Sequence, residues 1–463
     1  MKQLNLLPMP TLVKTLRPNM TVNRIDAADR AVHDWYRFVL SFPPHLVRDY
    51  LERFGLGTGQ TILDPFCGTG TTIVEAKLHG LCAIGIEANT LAHFASSVKT
   101  TWGIDPDGLA GHASAIAATT HRRLDNWGDA PLRALAEEPH ALLLRDSISP
   151  LPLHKALVLL EQIRAGVSNQ FLDHELLALA HVLVADASNL HFGPEVGVRS
   201  VKRSDAPVIE AWLETVCQMA ADIRQLPQDM PNATVYHADA RNMSQLLRPA
   251  SIDAVFTSPP YPNEKDYTRT TRLESVVLGY VNSKAELRAM KQGLLRSNTR
   301  NVYKLDDDDT WVAAHPEVLA LSHEIERRRI ELGKTSGFER LYARVTRLYF
   351  GGMARHLAEL RPFLRPGAML GYVVGDQASF FQVLIRTGEL LAGIAQALGY
   401  EVVSIDLFRT RLATATGQQM REEVVVLRWP ARGTHPVRSY GRSQEFSVQS
   451  SRARIRRMNG SVT

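Results

Sequence analysis

The stretch 63-LDPFCGTGTTIVEAKLHG-80 decides the fold. An apolar segment ends at Asp64, a loop with two closely spaced glycines follows, and a helical pattern begins at Thr71. Gly68 and Gly70 allow a backbone conformation and a close approach that a side chain would forbid. Such a turn between a strand and a helix N-terminus typically holds a nucleotide-like ligand. No Gly-Lys-Ser/Thr sequence follows, which argues against a triphosphate-binding loop.

Six further segments share the character of this first strand, since they are near-continuous apolar runs bounded by Gly, Pro or Asp. Together the predicted strands are 59–66, 81–88, 233–239, 251–259, 367–376, 400–408 and 422–429. Runs of this kind indicate strands covered on both faces. Helical patterns at 71–79, 342–364 and 381–398 alternate with them, which predicts an α/β fold with a mostly parallel sheet. The last two strands lack a helical connection, so the final strand should be antiparallel.

Two long stretches, 91–229 and 263–337, interrupt this alternation with mostly helix-compatible sequence. Because the strand pattern resumes after each, both are predicted to be mainly helical insertions into one sheet domain, with DNA contact as one interpretation of each. The predicted sheet domain comprises residues 1–90, 230–262 and 338–432. Residues 433–463 form a basic, serine-containing tail, interpreted either as a disordered end or as an arm that contacts phosphates.

Composition limits the class of protein. The chain has 463 residues, of which 45% are hydrophobic and 22% charged, as expected for a globular protein of one to a few domains. Cys67, Cys82 and Cys217 lack disulfide or zinc spacing, which favours a reducing cytoplasm. We find no signal peptide or membrane span and expect no membrane partner. The net charge of +5 permits a polyanionic partner.

Acidic residues end the first three predicted strands. Since the carboxyl ends of parallel strands meet at one edge of the sheet, Asp64, Glu87 and Asp239 should converge there. Asp64 favours a cationic or amino-bearing ligand. Glu87 suits the two hydroxyls of a ribose, although a solvated helix cap is the alternative. Asp239 could accept a hydrogen bond from an adenine amino group.

Four ordered motifs, DPFCGTGTT (64–72), GIEAN (85–89), HAD (237–239) and TSPPY (257–261), resemble those of amino-group DNA methyltransferases. The segment HDWYRFVLSFPPHLVRDYLERF (33–54) is similar to the additional N-terminal cofactor motif of that family. The resemblance covers the sheet domain and neither insertion. It implies a seven-stranded Rossmann-like methyltransferase sheet, S-adenosylmethionine (SAM) as cofactor, double-stranded DNA as partner, and an association with a restriction or defence system.

The resemblance also implies site residues. Those for the cofactor are Phe42, Pro43, Asp64, Phe66, Gly68, Thr69, Gly70, Glu87, Asn89 and Asp239. Those for catalysis are Ser258, Pro259, Pro260 and Tyr261, and no metal is implied. C5-cytosine methylases carry a nucleophilic cysteine where this chain has Ser258. Cys67 lies in the cofactor loop, where a packing role is expected.

The TSPPY motif suits methylation of an exocyclic amine. The lone pair of cytosine N4 is delocalised into the ring, so the nitrogen must become more tetrahedral before it can react. The Ser258 hydroxyl and the Pro259 carbonyl are candidate acceptors for its two N–H groups, and the diproline holds that carbonyl rigidly. Tyr261 can stack on a base that has left the duplex. Transfer is then a direct in-line displacement without a covalent enzyme intermediate.

The SPPY form is most typical of enzymes that methylate cytosine N4, whereas DPPY is commoner among N6-adenine enzymes. We therefore predict a site-specific cytosine-N4 DNA methyltransferase. N6-adenine methylation is the first alternative, and an RNA methyltransferase or a non-catalytic DNA-binding subunit are the others. The recognition sequence and the oligomeric state are not specified by the sequence.

Several polar segments have two interpretations, DNA contact or solvated surface. They are GVRSVKRSDAP (197–207), RSNTRNVYK (296–304), and the residues Lys265, Tyr267, Arg269 and Arg272. The acidic run at 306–309 is predicted to be a solvated loop rather than a metal site, because it lacks the spacing of a calcium loop.

Overall fold

The computed structural model describes residues 25–37, 41–165, 170–193, 195–227, 229–263, 265–412 and 419–430. The first 24 residues and the basic tail at 433–463 lie outside the described residues, so our predictions for both ends stay predictions. Within the described ranges, no helix has the length and apolar character needed to cross a membrane.

A seven-stranded sheet forms the centre of the molecule, and a two-stranded hairpin lies apart from it. The strands are β1 (Thr61–Asp64), β2 (Cys82–Glu87), β3 (Leu190–Phe192), β4 (Val196–Val198), β5 (Ala233–His237), β6 (Ile252–Thr257), β7 (Leu364–Gly375), β8 (Glu401–Leu412) and β9 (Gln419–Arg428). The sheet order is β5-β2-β1-β6-β7-β9-β8. The first five strands in that order are parallel, and β9 is antiparallel to both of its neighbours. The predicted sheet and its antiparallel last strand are confirmed.

Fourteen α-helices surround the two sheets in the described part of the chain. They are α1 (Pro44–Arg53), α2 (Thr71–Leu78), α3 (Thr90–Lys99), α4 (Pro106–Asp125), α5 (Glu137–Leu142), α6 (Pro150–Arg164), α7 (Leu172–Val182), α8 (Val208–Gln225), α9 (Tyr267–Thr270), α10 (Arg272–Val277), α11 (Lys284–Gly293), α12 (Pro316–Glu331), α13 (Tyr342–Leu360) and α14 (Thr387–Ala397).

Two predicted helices are shorter than expected. The pattern at 381–398 becomes helical only at Thr387, since Phe381 and Gln382 have φ angles of 54° and 62°. The pattern at 342–364 ends at Leu360, just before a turn that contains Pro362.

Both faces of the sheet are buried, as the apolar strands predicted. Along β9, Val424 and Val426 join the core under α1 and α2, whereas Val425 and Leu427 join the core under α13 and α14. Successive side chains of a strand point to opposite faces, so a continuous apolar run supplies two cores. Because helices pack on both faces of the sheet, the ends of its strands are held in place, and the candidate site lies at these ends.

The first insertion builds a separate hydrophobic core from α4, α6, α7 and α8, with the fully buried Trp212 in its centre. The Trp212 indole donates to the Glu175 carbonyl at 2.9 Å, which satisfies its one donor. The hairpin of β3 and β4, which pairs Leu190 with Val198, belongs to this insertion and was not predicted. Within 197–207, Arg199 and Lys202 are exposed, which fits both interpretations of that segment.

The second insertion packs closely on α13. A Cβ added to Gly351 would lie 1.9 Å from the Asp308 carbonyl oxygen, so only a glycine permits this contact. Our prediction of a solvated acidic loop is wrong for Asp306, which accepts from Arg296 at 2.8 Å, and for Asp308, which is 5% exposed and contacts Arg355 at 3.3 Å. Both carboxylates pair with arginines that lie 10 and 47 residues away in the sequence. The local sequence therefore gave no sign of these pairs.

The interpretation of 296–304 as surface is also wrong for most of its first half. Arg296, Ser297 and Asn298 are each 5% exposed or less, because Arg296 pairs with Asp306 and Asn298 donates to the Lys265 carbonyl at 3.0 Å. The polar side chains of Arg296 and Asn298 are buried here because each has a specific partner.

Candidate active site

A cavity of about 750 Å³ lies at the carboxyl ends of β1, β2, β5, β6 and β7. Most of the predicted site residues line it: Phe42, Phe66, Gly68, Thr69, Glu87, Asn89, Asp239, Ser258, Pro259, Pro260 and Tyr261. The remaining three, Pro43, Asp64 and Gly70, are not among its lining residues. The structure therefore brings the two predicted residue sets together at one edge of the sheet.

The two glycines of the loop differ in what surrounds them. Both have positive φ angles, 51° at Gly68 and 86° at Gly70. A Cβ on Gly70 would lie 2.8 Å from the Ser96 Cβ, so this glycine permits α2 to pack on α3. A Cβ on Gly68 would meet no protein atom within 4 Å, and Gly68 lines the cavity. Gly68 thus leaves space for a ligand, whereas Gly70 serves packing.

Glu87 joins the glycine loop to the end of β2. Its Oε2 accepts from the Gly68 amide at 2.8 Å, and its Oε1 accepts from the Asn89 amide at 2.7 Å. Burial raises the pKa of Glu87, an effect that these backbone donors oppose. Each carboxylate oxygen has more than one acceptor position, so Glu87 can also accept from ligand hydroxyls.

Asp64 lies behind the cavity and is 1% exposed. Its Oδ1 accepts from the Thr257 hydroxyl at 2.6 Å and from the Phe66 amide at 3.1 Å, which ties the end of β1 to the end of β6. Burial raises the pKa of Asp64 to about 7, although the hydrogen bonds from Thr257 and Phe66 act in the opposite direction. In this arrangement Asp64 supports the loop that lines the cavity.

Asp239 is held by an arginine that sequence reasoning missed. The Arg241 Nε lies 2.9 Å from Asp239 Oδ1, and Nη2 lies 2.7 Å from Oδ2. Arg241 also donates to Asp308 in the second insertion and is 5% exposed. The sequence did not indicate that Arg241 would pair with Asp239. A bidentate pair between residues two positions apart forms only because of the turn after β5.

The SPPY segment follows β6 directly and is fixed by its neighbours. The Ser258 hydroxyl donates to the Val373 carbonyl at 3.2 Å, which leaves its oxygen able to accept a further hydrogen bond. The Tyr261 amide donates to the Tyr267 hydroxyl at 3.2 Å. A Cβ on Gly375 would lie 2.9 Å from the Tyr261 ring, so that ring packs closely on β7.

Of the four residues after this segment that were predicted to contact DNA or solvent, Lys265 and Tyr267 line the cavity, whereas Arg269 and Arg272 are not among its lining residues. Burial lowers the pKa of the Lys265 ammonium, and the nearby Arg411 adds to that effect. The Arg272 guanidinium donates to Thr268 at 2.8 Å and to the Leu142 carbonyl at 3.3 Å, so it is committed to internal contacts. A phosphate-contacting role therefore loses support for Arg272.

Sequence reasoning also missed cavity residues contributed by distant segments. They are Glu195 beside the hairpin, and Arg409, Arg411 and Glu422 from β8 and β9, whereas Ser297 and Asn301 come from the segment 296–304 that was a candidate for DNA contact. Arg409 pairs with Glu422 at 2.5 Å. No local pattern marks these residues, because only the tertiary fold brings them to the strand ends.

Within the described ranges, Asp26, Asp29 and His45 form one group whose possible metal-ligating atoms converge. None of the three lines the cavity, and Asp29 already pairs with Arg48 at 2.7 Å. This group therefore lies apart from the cavity.

The cavity fits a cofactor that carries a nucleoside. Gly68 leaves open space, Glu87 offers carboxylate oxygens, and Ile86, Ala88, Ala238 and Ala240 add apolar surface. Mostly apolar walls with a few placed polar groups are typical of such sites.

Comparison with known proteins agrees with this geometry. The family model for N6 and N4 methyltransferases, described as DNA methylase, matches residues 23–94, which include the glycine loop and Glu87. The chain is 27% identical over 435 residues to the Type II methyltransferase M.BsoBI of Geobacillus stearothermophilus, across 86% of this chain and 84% of the relative. It is 28% identical over 176 residues to the Type II methyltransferase M.AvaI of Anabaena variabilis, across 36% of this chain and 34% of the relative.

Among solved structures, TrmN from Thermus thermophilus is similar at 12% identity with a TM-score of 0.26, over 86% of this chain and 52% of that chain. A similarity at that score has no bearing on function, so the assignment rests on the sequence matches and on the motifs placed around the cavity. The two sequence matches confirm the resemblance of this chain to amino-group DNA methyltransferases.

Proposed function

We propose that this chain methylates N4 of cytosine at a specific site in double-stranded DNA, with SAM as the methyl donor. One observation carries the proposal: Ser258 to Tyr261 line the same cavity as Gly68 and Glu87. This supports a cavity in which the methyl donor and the target amine would lie side by side. The similarity to amino-group DNA methyltransferases supports SAM as the methyl donor and DNA as the substrate. The similarity to Type II methyltransferases supports action at a defined sequence beside a cognate restriction system.

The target amine is proposed to lie between the Ser258 oxygen and the Pro259 carbonyl. Because the Ser258 proton is directed to Val373, the serine oxygen is available as an acceptor. Pro260 has no N–H, so the peptide after Pro259 presents only its carbonyl. Two acceptors favour a more tetrahedral nitrogen, whose lone pair can then attack.

SAM supplies, when bound, a methyl group made electrophilic by its sulfonium. The residues of this chain align the two reactants: Glu87 holds the glycine loop beside the cofactor, and Tyr261 offers a ring for the extruded base. In this arrangement the N–C bond would form as the S–C bond breaks, S-adenosylhomocysteine would be the product that leaves, and the proton lost by the amine would pass to water.

Nucleoside mass spectrometry of DNA from cells that express this chain tests the proposal. We expect N4-methylcytosine, with modification-sensitive sequencing placing it at one short sequence. N6-methyladenine at such a site would establish the adenine alternative. Methylated RNA with unmodified DNA would establish the RNA alternative, and purified protein that binds no SAM in calorimetry would indicate a non-catalytic subunit.

A further inference from the structure

The second insertion forms one wall of the cavity beside the ends of β2 and β5. Gly293, Leu294 and Leu295 line the cavity, as do Ala88 and Asp239. A Cβ on Gly293 would lie 3.8 Å from the Cβ of Ala88, the residue that follows Glu87. The wall therefore adjoins the part of the cavity where the sequence predicts the nucleoside of the cofactor.

Arg241 connects this wall to Asp239. Asp239 Oδ1 accepts from both the amide and Nε of Arg241, at 2.9 Å each, and Oδ2 accepts from Nη2 at 2.7 Å. The same Nη2 lies 3.4 Å from the Leu294 carbonyl, and Nη1 donates to Asp308. One guanidinium thus holds a strand end and two points of the insertion, in the fork geometry that arginine provides.

Two further contacts fix the wall. Arg296, which pairs with Asp306, also donates to the Leu294 carbonyl. A Cβ on Gly352 would lie 2.4 Å from Leu295 Cδ1 and 3.3 Å from Asp308 Oδ2, so a glycine of α13 permits the close approach. The wall is therefore held in place by contacts within the protein.

We propose that the second insertion completes the cofactor site: Leu294 and Leu295 contact the cofactor's nucleobase, and Asp308 acts through Arg241 as a positioning residue. This proposal rests on the proposed function. The apolar side chains of Ile86, Ala88, Ala238 and Ala240 line the same cavity. With Asp239 among them, the residues form apolar surface around one carboxylate, which suits a flat ring that carries an amine. The insertion then serves the cofactor, whereas DNA contact was one interpretation of its sequence.

Calorimetry with S-adenosylhomocysteine, the demethylated product of SAM, tests this directly. Leu294→Ala removes a cavity contact, and we expect about tenfold weaker binding because an apolar side chain leaves the ligand surface. Asp308→Asn should weaken binding by a similar factor, since it removes the charge that holds Arg241. Glu326→Gln is the matched control, because Glu326 pairs with Arg329 at the surface of the same insertion.

Steady-state kinetics separates a positioning role from a general loss of structure. Both variants should raise KM for SAM and leave KM for DNA unchanged, whereas a loss of folded protein would lower kcat alone. Unchanged S-adenosylhomocysteine affinity in Leu294→Ala would overturn the proposal, even if Asp308→Asn failed to fold. A higher KM for DNA with normal cofactor affinity would instead assign the segment to target recognition. Wild-type protein that bound no S-adenosylhomocysteine would refute the proposed function itself.

Discussion

At the scale of single residues, the site depends on backbone groups that are fixed by side chains. Glu87 accepts from the Gly68 and Asn89 amides, which orients the glycine loop before a ligand binds. Ser258 donates to Val373, which directs its oxygen towards any donor in the cavity. Such preorganisation lowers the reorganisation needed during methyl transfer.

Ser258→Ala should lower kcat by on the order of 10²-fold while cofactor affinity stays unchanged, because a preorganised polar contact to the reacting group is lost. Single-turnover methylation and S-adenosylhomocysteine calorimetry measure the two quantities. Ser244→Ala is the control, since Ser244 is exposed and does not line the cavity. Near-normal turnover in Ser258→Ala would contradict the proposed acceptor role.

Substitution of alanine for each of the two loop glycines should affect a different property, cofactor affinity at Gly68 and stability at Gly70. In Gly68→Ala the methyl points into open space, so we expect folded protein with cofactor affinity reduced by about tenfold or more. In Gly70→Ala it meets the Ser96 side chain, and we expect a loss of roughly 2 to 4 kcal/mol in the free energy of unfolding. Urea denaturation and calorimetry on both variants check this contrast, which equal losses of stability would refute.

The residues of the site were easier to predict than their partners. The acidic types at 64, 87 and 239 follow from strand ends meeting at one edge, and Glu87 and Asp239 do line the cavity. The pairing of Asp239 with Arg241, and of Arg241 with Asp308, was not predictable. Such pairs depend on turns and on an insertion, where sequence periodicity carries no information.

At the scale of elements, the length of a strand and its pattern of apolar residues determined whether it could be predicted from the sequence. The sheet strands have four to twelve residues and each contains an apolar run, so they were predicted without the structure, although β8 and β9 extend beyond their predicted bounds. The strands β3 and β4 have three residues each, too few for a period-two pattern. The buried segment around Arg296 escaped prediction because its polar composition resembles that of a surface.

The contact between α13 and the second insertion makes Gly351 a critical position. In Gly351→Ala the new methyl would clash with the Asp308 backbone, so the turn must move or the helix must shift. We expect the free energy of unfolding to fall by about 2 to 4 kcal/mol, and cofactor affinity to fall with it because Asp308 holds Arg241. Denaturation curves and calorimetry measure the two effects. Gly337→Ala is the control, since its Cβ would meet no atom within 4 Å; a normal Gly351→Ala would contradict this packing.

At the scale of the whole molecule, the segment before α1 joins parts of the chain that are far apart in sequence. Trp35 donates to Asp222 of α8 at 2.8 Å, His33 contacts Glu75 of α2 at 2.8 Å, and Tyr36 donates to Glu274 of α10. The first insertion, the sheet domain and the second insertion therefore meet at one short segment.

Glu274 should make the stability of this junction depend on pH. Burial raises the pKa of Glu274 to about 7, although the hydrogen bond from Tyr36 opposes the shift. Since the folded pKa lies above the ordinary value of 4.5, the folded state retains a proton that the unfolded state loses between about pH 4.5 and 7. The contribution of Glu274 is therefore fully present below pH 4.5 and is lost as the pH rises through 7.

The variant Glu274→Gln cannot ionise, so its stability should lack this part of the pH dependence. Between pH 4.5 and 8 the wild type should lose on the order of 3 kcal/mol relative to the variant, the value that the pKa shift implies. Urea unfolding of both proteins at pH 5 and pH 8 gives this difference. The comparison cancels the contributions of Asp64 and Glu423, whose pKa values burial also raises to about 7. Parallel pH curves for the two proteins would show that folding leaves the pKa of Glu274 unchanged.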